Sequence, residues 1–443
     1  MRVVSSAQRL YLSGADWNVT AVSRGTKDLT GRKVMFQVAV FVNGDPGGKR
    51  LEDAFRSFCG RFPLLWGRPA RCWSLAPCWW QPQAAMPGLP IRVGRSSLPD
   101  SSTDENLVRH LETLSNRHAA RPNWSVALDT VRMGHQRTVL VFSFDHRVFD
   151  GAGSEAFINL FIRSVNGTAE EGEFPVQMQA ASGHRLGGWG RRFRSLRVVR
   201  RLMRVLGEGE TCRLKLPTDT FNRSNRFRVE TFDAAAAAQI REQACKVAVD
   251  MMLTPYLLAT AATALRHVFT AGEHGKGKFV VTVMAARPSS GERPQRLFFN
   301  DSQLHYVQFS HRLAARRDEL AVELLGQLVQ QERDGVPDAI EESNLLMRIL
   351  PVRWFWQVLT RFYRSSLPSF GMTILGETGI SETEVLGCRV CERMHFPMMP
   401  VPPGIGLMLS QSNGGYHLVL SYIEGVLSDA EAAEVMSSLR AML

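Results

Sequence analysis

The sequence predicts a mixed α/β (α+β) fold that is divided into two similar lobes. Segments typical of strands alternate with segments typical of helices in both halves of the 443-residue chain. Between the halves, residues 168–222 break this alternation, and we interpret them as a connection. No direct sequence repeat relates the halves, so the prediction depends on their shared order of elements.

The first half contains three predicted strands and three predicted helices. Apolar runs mark the strands, whereas helical spacing of apolar residues, capping residues and terminal glycines mark the helices. The strands are 33–44, 124–133 and 138–144, and the helices are 48–68, 101–119 and 154–167.

The second half repeats this alternation and ends in a predicted hairpin around Asn413. The helix over 254–271 is nearly all apolar, so we expect it to be buried. The predicted strands are 225–232, 278–286, 301–310, 404–415 and 416–425, and the helices are 233–248, 254–271, 316–335 and 428–443.

The positive charge of the chain is concentrated in residues 185–204, which hold eight arginines and no acidic residue. Without them the net charge falls from +11 to +3, which does not indicate a surface that binds nucleic acid. Residues 189–206 have the pattern of a basic amphipathic helix, which could lie on an anionic membrane. We favour the alternative, a crossover helix docked on the protein through its apolar stripe. That stripe consists of Trp189, Phe193, Leu196, Val199, Met203 and Leu206.

The remaining composition favours a cytoplasmic protein, which could be peripheral to a membrane. The N-terminus has no apolar signal region, and the longest apolar run, 256–265, is too short to span a bilayer. Seven scattered cysteines suit a reducing compartment. The pair Cys388 and Cys391 lacks the partners of a zinc or redox motif. We predict no metal site, and no nucleotide-binding fingerprint is present.

The stretch VFSFDHRVFDG, residues 141–151, carries the chemistry. An apolar strand leads directly into His146, so the imidazole can be held rigidly and partly desolvated. Asp150 lies in the same loop, and Gly151 permits a tight turn or a close ligand. A fixed neutral imidazole could remove the proton from an alcohol or amine during acyl transfer.

The segment DHRVFDG resembles the HxxxDG motif of the chloramphenicol-acetyltransferase-like acyltransferases. This superfamily includes condensation domains, wax-ester/diacylglycerol acyltransferases, alcohol acyltransferases and dihydrolipoamide acyltransferases. The preceding strand and the following helix, GAGSEAFINLF, fit the resemblance. It implies two lobes that form a pseudo-dimer, with the active site in a tunnel between them. The corresponding domains are residues 1–175, a basic linker 176–222, and residues 223–443.

The resemblance also implies roles for individual residues. His146 would be the general base, and Asp150 would shape the loop through an arginine, for which we propose Arg287. Gly151 would provide the tight backbone, and its N–H could face the reacting carbonyl. Asp145 occupies a position that is histidine in many condensation domains and aspartate in dihydrolipoamide acyltransferases.

Further segments match the resemblance less specifically. In FFNDSQLHYVQF, Phe299 replaces a common glycine and Asn300 is kept. Residues 369–379 resemble a segment that crosses between the lobes. Asn300 and Thr373 are candidates for lining the channel, whereas His305 and His395 are expected to be core or surface histidines.

The implied function is transfer of an acyl group from a thioester to a hydroxyl or amine of a small molecule or lipid. The donor would be acyl-CoA or an acyl-carrier protein, used as a co-substrate without a permanently bound cofactor. A dihydrolipoamide acyltransferase is not expected, because nearly three hundred residues follow the motif and no lipoyl domain fits before it. One chain would supply both sides of the site, which predicts a monomer. The alternatives are a condensation-like synthase that joins carrier-bound substrates and a non-catalytic binding protein on the same fold.

Overall fold

The computed structural model describes residues 10–71, 78–81, 92–99, 101–121, 124–134, 136–170, 188–247, 253–270, 277–286, 297–362, 368–377 and 379–443. Within these ranges two six-stranded sheets form the centres of two lobes, and a third sheet has three short strands. None of the helices in these ranges is long and apolar enough to cross a bilayer.

The first large sheet has the strand order β12-β13-β2-β7-β6-β5. Its strands are β2 (Met35–Asn43), β5 (Arg92–Leu98), β6 (Val126–Met133), β7 (Arg137–Asp145), β12 (Glu384–Val385) and β13 (Cys388–Pro397). The small sheet beside it consists of β1 (Leu10–Tyr11), β3 (Arg68–Ala70) and β4 (Trp79–Gln81). Because β13 pairs with β2, the far C-terminal part of the chain completes the first sheet.

The second large sheet has the strand order β10-β9-β11-β14-β15-β8. Its strands are β8 (Asn225–Phe232), β9 (Lys278–Ala286), β10 (Ser302–Ser310), β11 (Phe370–Glu377), β14 (Ile405–Ser412) and β15 (Gly415–Ile423). The hairpin β14–β15 turns at Asn413, as the sequence predicts.

Eleven helices surround these sheets in the described ranges. They are α1 (Gly14–Thr30), α2 (Gly48–Cys59), α3 (Asp104–Ala119), α4 (Gly151–Asn166), α5 (Trp189–Gly207), α6 (Ala234–Val247), α7 (Leu253–Thr270), α8 (Arg317–Arg333), α9 (Val336–Met347), α10 (Val352–Phe362) and α11 (Asp429–Met442). Helix α2 is shorter than the predicted 48–68, because the chain turns at Gly60 and then forms only a short 3-10 turn at Pro63–Trp66.

Both faces of the first sheet are buried, which explains why β7 reads as a nearly continuous apolar run. On one face, Phe142 contacts Phe55 of α2 and Phe161 of α4, with ring centroids 6.0 and 5.8 Å apart. On the other face, Val141 belongs to a cluster with α3 that also contains Phe227 of the second sheet. This cluster joins the lobes.

The predicted two-lobed α/β class is confirmed. Residues 369–379 also run between the lobes as expected, since β11 lies in the second sheet, between β9 and β14, and the Gly379 N–H donates to Glu155 of α4 in the first lobe. Beyond this crossing, β12 and β13 join the first sheet. The predicted domain boundaries at 175 and 223 stay a prediction.

The basic helix predicted over 189–206 is α5, and it docks on the protein only in part. Leu196, Val199, Met203 and Leu206 face inward, and Met203 and Leu206 pack with Val336 and Ile340 of α9. Trp189 and Phe193, also assigned to the apolar stripe, are instead 43% and 52% exposed. Arg192 takes a place in the buried face and is 5% exposed.

Candidate active site

Asp145, the last residue of β7, anchors the loop that carries the motif. Its buried carboxylate accepts hydrogen bonds from Lys33 Nζ at 2.8 Å and from Arg147 Nη2 at 2.6 Å. Burial favours the neutral carboxyl, but the charges of Arg147 and Lys33 outweigh it and hold the pKa of Asp145 well below its usual range. Asp145 therefore stays ionised and is fully occupied with structural bonds.

His146 is fixed through its backbone. Its N–H donates to the Val34 carbonyl at 3.3 Å, and its carbonyl accepts from Asn300 Nδ2 at 3.0 Å. The imidazole lies edge-on to the Phe36 ring, with centroids 5.4 Å apart. The buried Nδ1 has no hydrogen-bond partner among the described residues. The backbone of His146 is therefore fixed, whereas this ring nitrogen is not used in a structural hydrogen bond.

Asp150 is the N-cap of α4 and stabilises the loop. Its Oδ1 accepts from the Gly153 N–H, and its Oδ2 accepts from the Asp301 N–H, both at 2.8 Å. Burial raises the pKa of Asp150, and these two backbone bonds oppose that rise. The carboxylate thus connects the motif to the segment 297–301, which precedes β10.

That segment is pinned against the motif by backbone bonds and by Asp16. The Phe299 N–H donates to the Val148 carbonyl at 2.6 Å, and the Asn300 N–H donates to Asp16 Oδ1 at 2.7 Å. Phe299 has φ +73°, in the left-handed region that favours glycine. This backbone would suit the glycine that the sequence resemblance implies at position 299.

Asp16 was missed by the sequence analysis, although a signal for it exists. It forms a capping box with Ser13 at the start of α1, the S-x-x-D pattern that marks a helix N-terminus. Its Oδ1 also accepts from Asn300 Nδ2, at 3.2 Å. Burial raises the pKa of this carboxyl, and the bonds from Asn300 and Ser13 oppose the rise.

His146 opens onto a cavity of about 220 Å³ between the two sheets. The first lobe contributes Phe36, His146 and Gly151, and the second sheet contributes residues of β9, β10 and β11. Most of the wall is apolar. The polar lining residues of the second sheet are Thr282, Tyr306 and Thr373.

Gly151 is needed here for close approach rather than for a left-handed backbone. A Cβ added at this position would lie 3.3 Å from Cδ2 of Leu375, on the opposite wall. The glycine therefore keeps the cavity open beside the imidazole.

Solved structures of an acyltransferase and of peptide-synthetase domains share this architecture. A trichothecene 15-O-acetyltransferase from Fusarium sporotrichioides has a TM-score of 0.67 at 11% identity, over 98% of this chain and 94% of that chain. The first condensation domain of the CDA synthetase has a TM-score of 0.62 at 13% identity, over 99% and 96%. The epimerization domain from the third module of tyrocidine synthetase B has a TM-score of 0.60 at 11% identity, over 99% and 98%.

This is the chloramphenicol-acetyltransferase-like fold. No protein-family model matches the chain, and no curated protein matches its sequence. The similarity to these solved structures confirms the predicted resemblance at the level of fold.

Within this acetyltransferase-like fold, the predicted site residues occupy different places. His146, Gly151 and Thr373 line the cavity. Asn300, predicted to line the channel, is 2% exposed and lies behind the motif, where it holds the His146 carbonyl. Arg287 lies outside the described residues.

His395 of β13 is buried, which agrees with the expected core histidine, and it also lines the cavity. It is 1% exposed, and its Nε2 lies 3.2 Å from Oε1 of Glu155 in α4. The other carboxylate oxygen of Glu155 accepts from the Gly379 N–H at 2.8 Å. A sequence signal was absent, because β13 reaches the site only by pairing with a strand about 350 residues earlier. By contrast, His305 is buried beside Glu332, with 3.3 Å between Nε2 and Oε1.

A basic pocket of about 550 Å³ lies on the other side of the two segments that contain Val34 and His146. Lys33 and Arg147 line this pocket, whereas their chain neighbours Val34 and His146 line the cavity. Arg24, Lys27 and Arg71 complete its cationic wall. Lys33 and Arg147 are paired with Asp145, and Arg24 is paired with Asp28, so Lys27 is the cation of this wall most available to a phosphate-bearing ligand.

Proposed function

We propose that the protein is an acyltransferase of the HxxxDG type, with His146 as the general base. It transfers an acyl group from a thioester to a hydroxyl or amine of a small-molecule or lipid acceptor. The observation that carries this proposal is the position of His146. Its backbone is fixed by Val34 and Asn300, while its imidazole faces an apolar cavity between the lobes.

In the proposed reaction, the imidazole removes the proton of the acceptor as its oxygen or nitrogen attacks the thioester carbonyl. A C–O or C–N bond forms, and the carbonyl oxygen becomes an oxyanion. The C–S bond then breaks, the carbonyl re-forms, and the imidazolium returns the proton to the departing thiolate. The products are an ester or amide and a free thiol, and no step requires a permanently bound cofactor.

The first turn of α4 supports stabilisation of the oxyanion. Gly151 begins this helix and lines the cavity, so its N–H belongs to the positive end of the helix dipole. Asp150 already occupies the Gly153 N–H. We therefore assign the oxyanion donor to the Gly151 amide.

The basic pocket supports a donor that carries phosphate, either acyl-CoA or the phosphopantetheine arm of a carrier protein. The change Lys27→Gln should raise KM for acyl-CoA severalfold. It should leave KM unchanged for the corresponding acyl-N-acetylcysteamine, which has no phosphate. An equal change in KM for both donors would contradict this assignment.

A condensation-like synthase that joins carrier-bound substrates is the second candidate. It is favoured by the similarity in fold to the condensation domain of the CDA synthetase. In either case we infer that a single chain is sufficient, since both sheets that line the cavity come from it. Size-exclusion chromatography with light scattering tests the monomer.

The central experiment measures release of free thiol from acetyl-, octanoyl- and palmitoyl-CoA with a panel of alcohols and amines. We expect acceptor-dependent release that is lost in His146→Ala and kept in His267→Ala, a half-exposed histidine of α7. Turnover of acyl-carrier protein but not of CoA esters would favour the condensation-like synthase. If neither donor is turned over, the binding-protein alternative gains. If His146→Ala releases thiol like wild type, the proposed role of His146 as general base fails.

A further inference from the structure

Helix α5 presents a continuous cationic face to solvent. Six of its arginines are exposed, and they recur along nearly the whole helix, which is about 28 Å long at 1.5 Å per residue. They are Arg191, Arg194, Arg197, Arg200, Arg201 and Arg204. The helix itself contains no acidic residue.

Most of these charges are not neutralised by the protein. Among the described residues, Glu342 of α9 is the one carboxylate paired with α5, and it lies 2.7 Å from Arg191 and 3.6 Å from Arg192. The other exposed arginines of α5 form no ion pair with a described residue. An external anionic surface would therefore meet five guanidinium groups that have no acidic partner in the described part of the chain.

Aromatic side chains stand beside these charges at the N-terminal end of α5. The exposed rings of Trp189 and Phe193 lie with their centroids 6.3 Å apart. Val198 and Val205 are exposed farther along the helix. Arginine interleaved with exposed tryptophan and phenylalanine is typical of helices that bind at a lipid–water interface.

Directly beneath α5 lies an apolar chamber of about 340 Å³. Leu196, Val199 and Met203 of α5 line it together with Phe355 and Val358 of α10. The chamber and the catalytic cavity share four lining residues, so the two spaces adjoin. The shared residues are Asn18, Leu304, Tyr306 and Leu359.

We propose that the outer face of α5 docks the protein on an anionic lipid bilayer. The arginines bind lipid phosphates and carboxylates, Trp189 and Phe193 insert at the headgroup level, and the chamber beneath α5 lies next to the membrane. A compact acidic carrier protein is less favoured, because the charges extend along the whole helix and end in exposed aromatic rings. A lipid chain could then reach His146 through the chamber, and this second step rests on the proposed function. The docking of α5 on the membrane does not depend on it.

The direct test is co-sedimentation of the full-length protein with phosphatidylcholine vesicles, with and without phosphatidylserine. We expect binding only to the anionic vesicles, and we expect it to weaken as the salt concentration rises. Equal binding to both vesicle types, or no binding to either, would overturn the proposal. Binding to an acidic acyl-carrier protein in the absence of vesicle binding would also overturn it, and would assign α5 to a protein partner.

The discriminating variant changes four outward arginines to glutamine: Arg194, Arg197, Arg201 and Arg204. Each basic residue near an anionic surface strengthens binding severalfold, so the partition coefficient of this variant should fall on the order of a hundredfold or more. The matched control makes the same change at four exposed arginines elsewhere: Arg50, Arg68, Arg312 and Arg389. An equal loss in the control would mean that net charge, not α5, determines binding.

The aromatic anchors are tested separately with Trp189→Ala/Phe193→Ala. The partition coefficient for anionic vesicles should fall by a similar factor at every salt concentration, because the part of the interaction that is not electrostatic is removed. A partition coefficient equal to that of wild type at high salt would remove these two rings from the docking surface.

The vesicle assay does not depend on turnover, so its outcome is separate from that of the acyl-transfer assay. His146→Ala should bind anionic vesicles like wild type. The four-arginine variant should retain transfer between a short acyl-CoA and a soluble alcohol, and should lose activity only on vesicle-bound acceptors. If the wild-type protein catalyses transfer but does not bind vesicles, the docking proposal fails. If it binds anionic vesicles but does not catalyse transfer, the proposed function fails.

Discussion

The two lobes contain the same strand–turn–helix unit, but only the turn of the first lobe carries a histidine. In the first lobe, β7 ends at Asp145 and α4 is capped by Asp150. In the second, β15 ends at Ile423 and α11 is capped by Ser428, after a turn of the same length. Each strand lies between two antiparallel partners. In this correspondence Glu424 stands where the first lobe has His146.

The cap side chains differ in what they hold. Ser428 forms a capping box with Glu431, a local device within α11. Asp150 caps α4 and also binds the Asp301 N–H in a distant segment. The turn therefore has a structural role in both lobes. The first lobe differs because its cap side chain also binds a distant segment, which fixes the loop that carries His146.

The largest expected effect separates His146 from its counterpart Glu424. His146→Ala should lower kcat about 10²- to 10⁴-fold, the usual contribution of a general base. Glu424→Ala should retain wild-type kcat, because the second turn does not line the cavity. Steady-state kinetics and thermal melts check both variants. Comparable losses of kcat would break the contrast between the two turns.

Asp145→Asn should cause the largest loss of stability. It leaves Lys33 and Arg147 partly buried without their anion, which costs about 3–5 kcal/mol in free energy of unfolding. The matched surface change, Asp28→Asn, removes an exposed pair with Arg24 and should cost no more than about 1 kcal/mol. Urea denaturation at neutral pH measures both.

The same variant should change the response to acid. Because the pKa of Asp145 is lower in the folded state, its ionised carboxylate stabilises the fold above the unfolded pKa of about 4. That contribution is lost as the pH falls from about 4 toward the folded pKa. The difference in stability between wild type and Asp145→Asn should therefore shrink in this acid range, and a constant difference would contradict the assignment.

The two caps should respond differently to loss of their side-chain acceptors. Asp150→Asn replaces one acceptor with a donor, so either the Gly153 or the Asp301 bond is lost and the loop behind His146 shifts. We expect kcat to fall up to about a hundredfold, the effect of a displacement near 1 Å, with little change in KM. Ser428→Ala should cost about 1 kcal/mol of stability and leave kcat unchanged. A reduced kcat in both would mean that cap strength alone controls activity.

The smallest expected effect concerns the first residue of each helix. Gly151→Ala places a methyl group 3.3 Å from Leu375, and strain of about 1 kcal/mol should raise KM a few-fold for bulky acyl donors. The double variant Gly151→Ala/Leu375→Ala should restore KM. The equivalent position in the second unit is already occupied by Asp429, which has a side chain. If KM of the double variant stays as high as that of Gly151→Ala, the contact with Leu375 is not the cause of the increase.

The sequence predicts the elements whose patterns are local. The apolar run of β7, the hairpin β14–β15 and the capped α11 all lie where the residues indicate, within three positions. The helix that follows the motif, α4, was also predicted from the local pattern. The apolar stripe of α5 was also correct in part, since its C-terminal portion packs on α9.

Features that depend on distant partners could not be predicted. Strand β13 has no clean alternation, because it is positioned by β2 and its faces are unevenly covered. For the same reason His395 could not be placed in the cavity. The exposure of Trp189 and Phe193 depends on how far the packing partner of α5 extends, and the sequence of α5 does not contain that information.

The pairing of β13 with β2 has a consequence for synthesis on the ribosome. Residues up to about 370 can emerge and pair β2 with β7 while the other edge of β2 still has no partner, since β13 spans Cys388–Pro397. Throughout that interval the nascent first lobe presents an apolar strand edge, the kind that invites pairing with other chains. Its last strand is made only after β8 to β11 of the second sheet, so the lobe that is begun first is completed late.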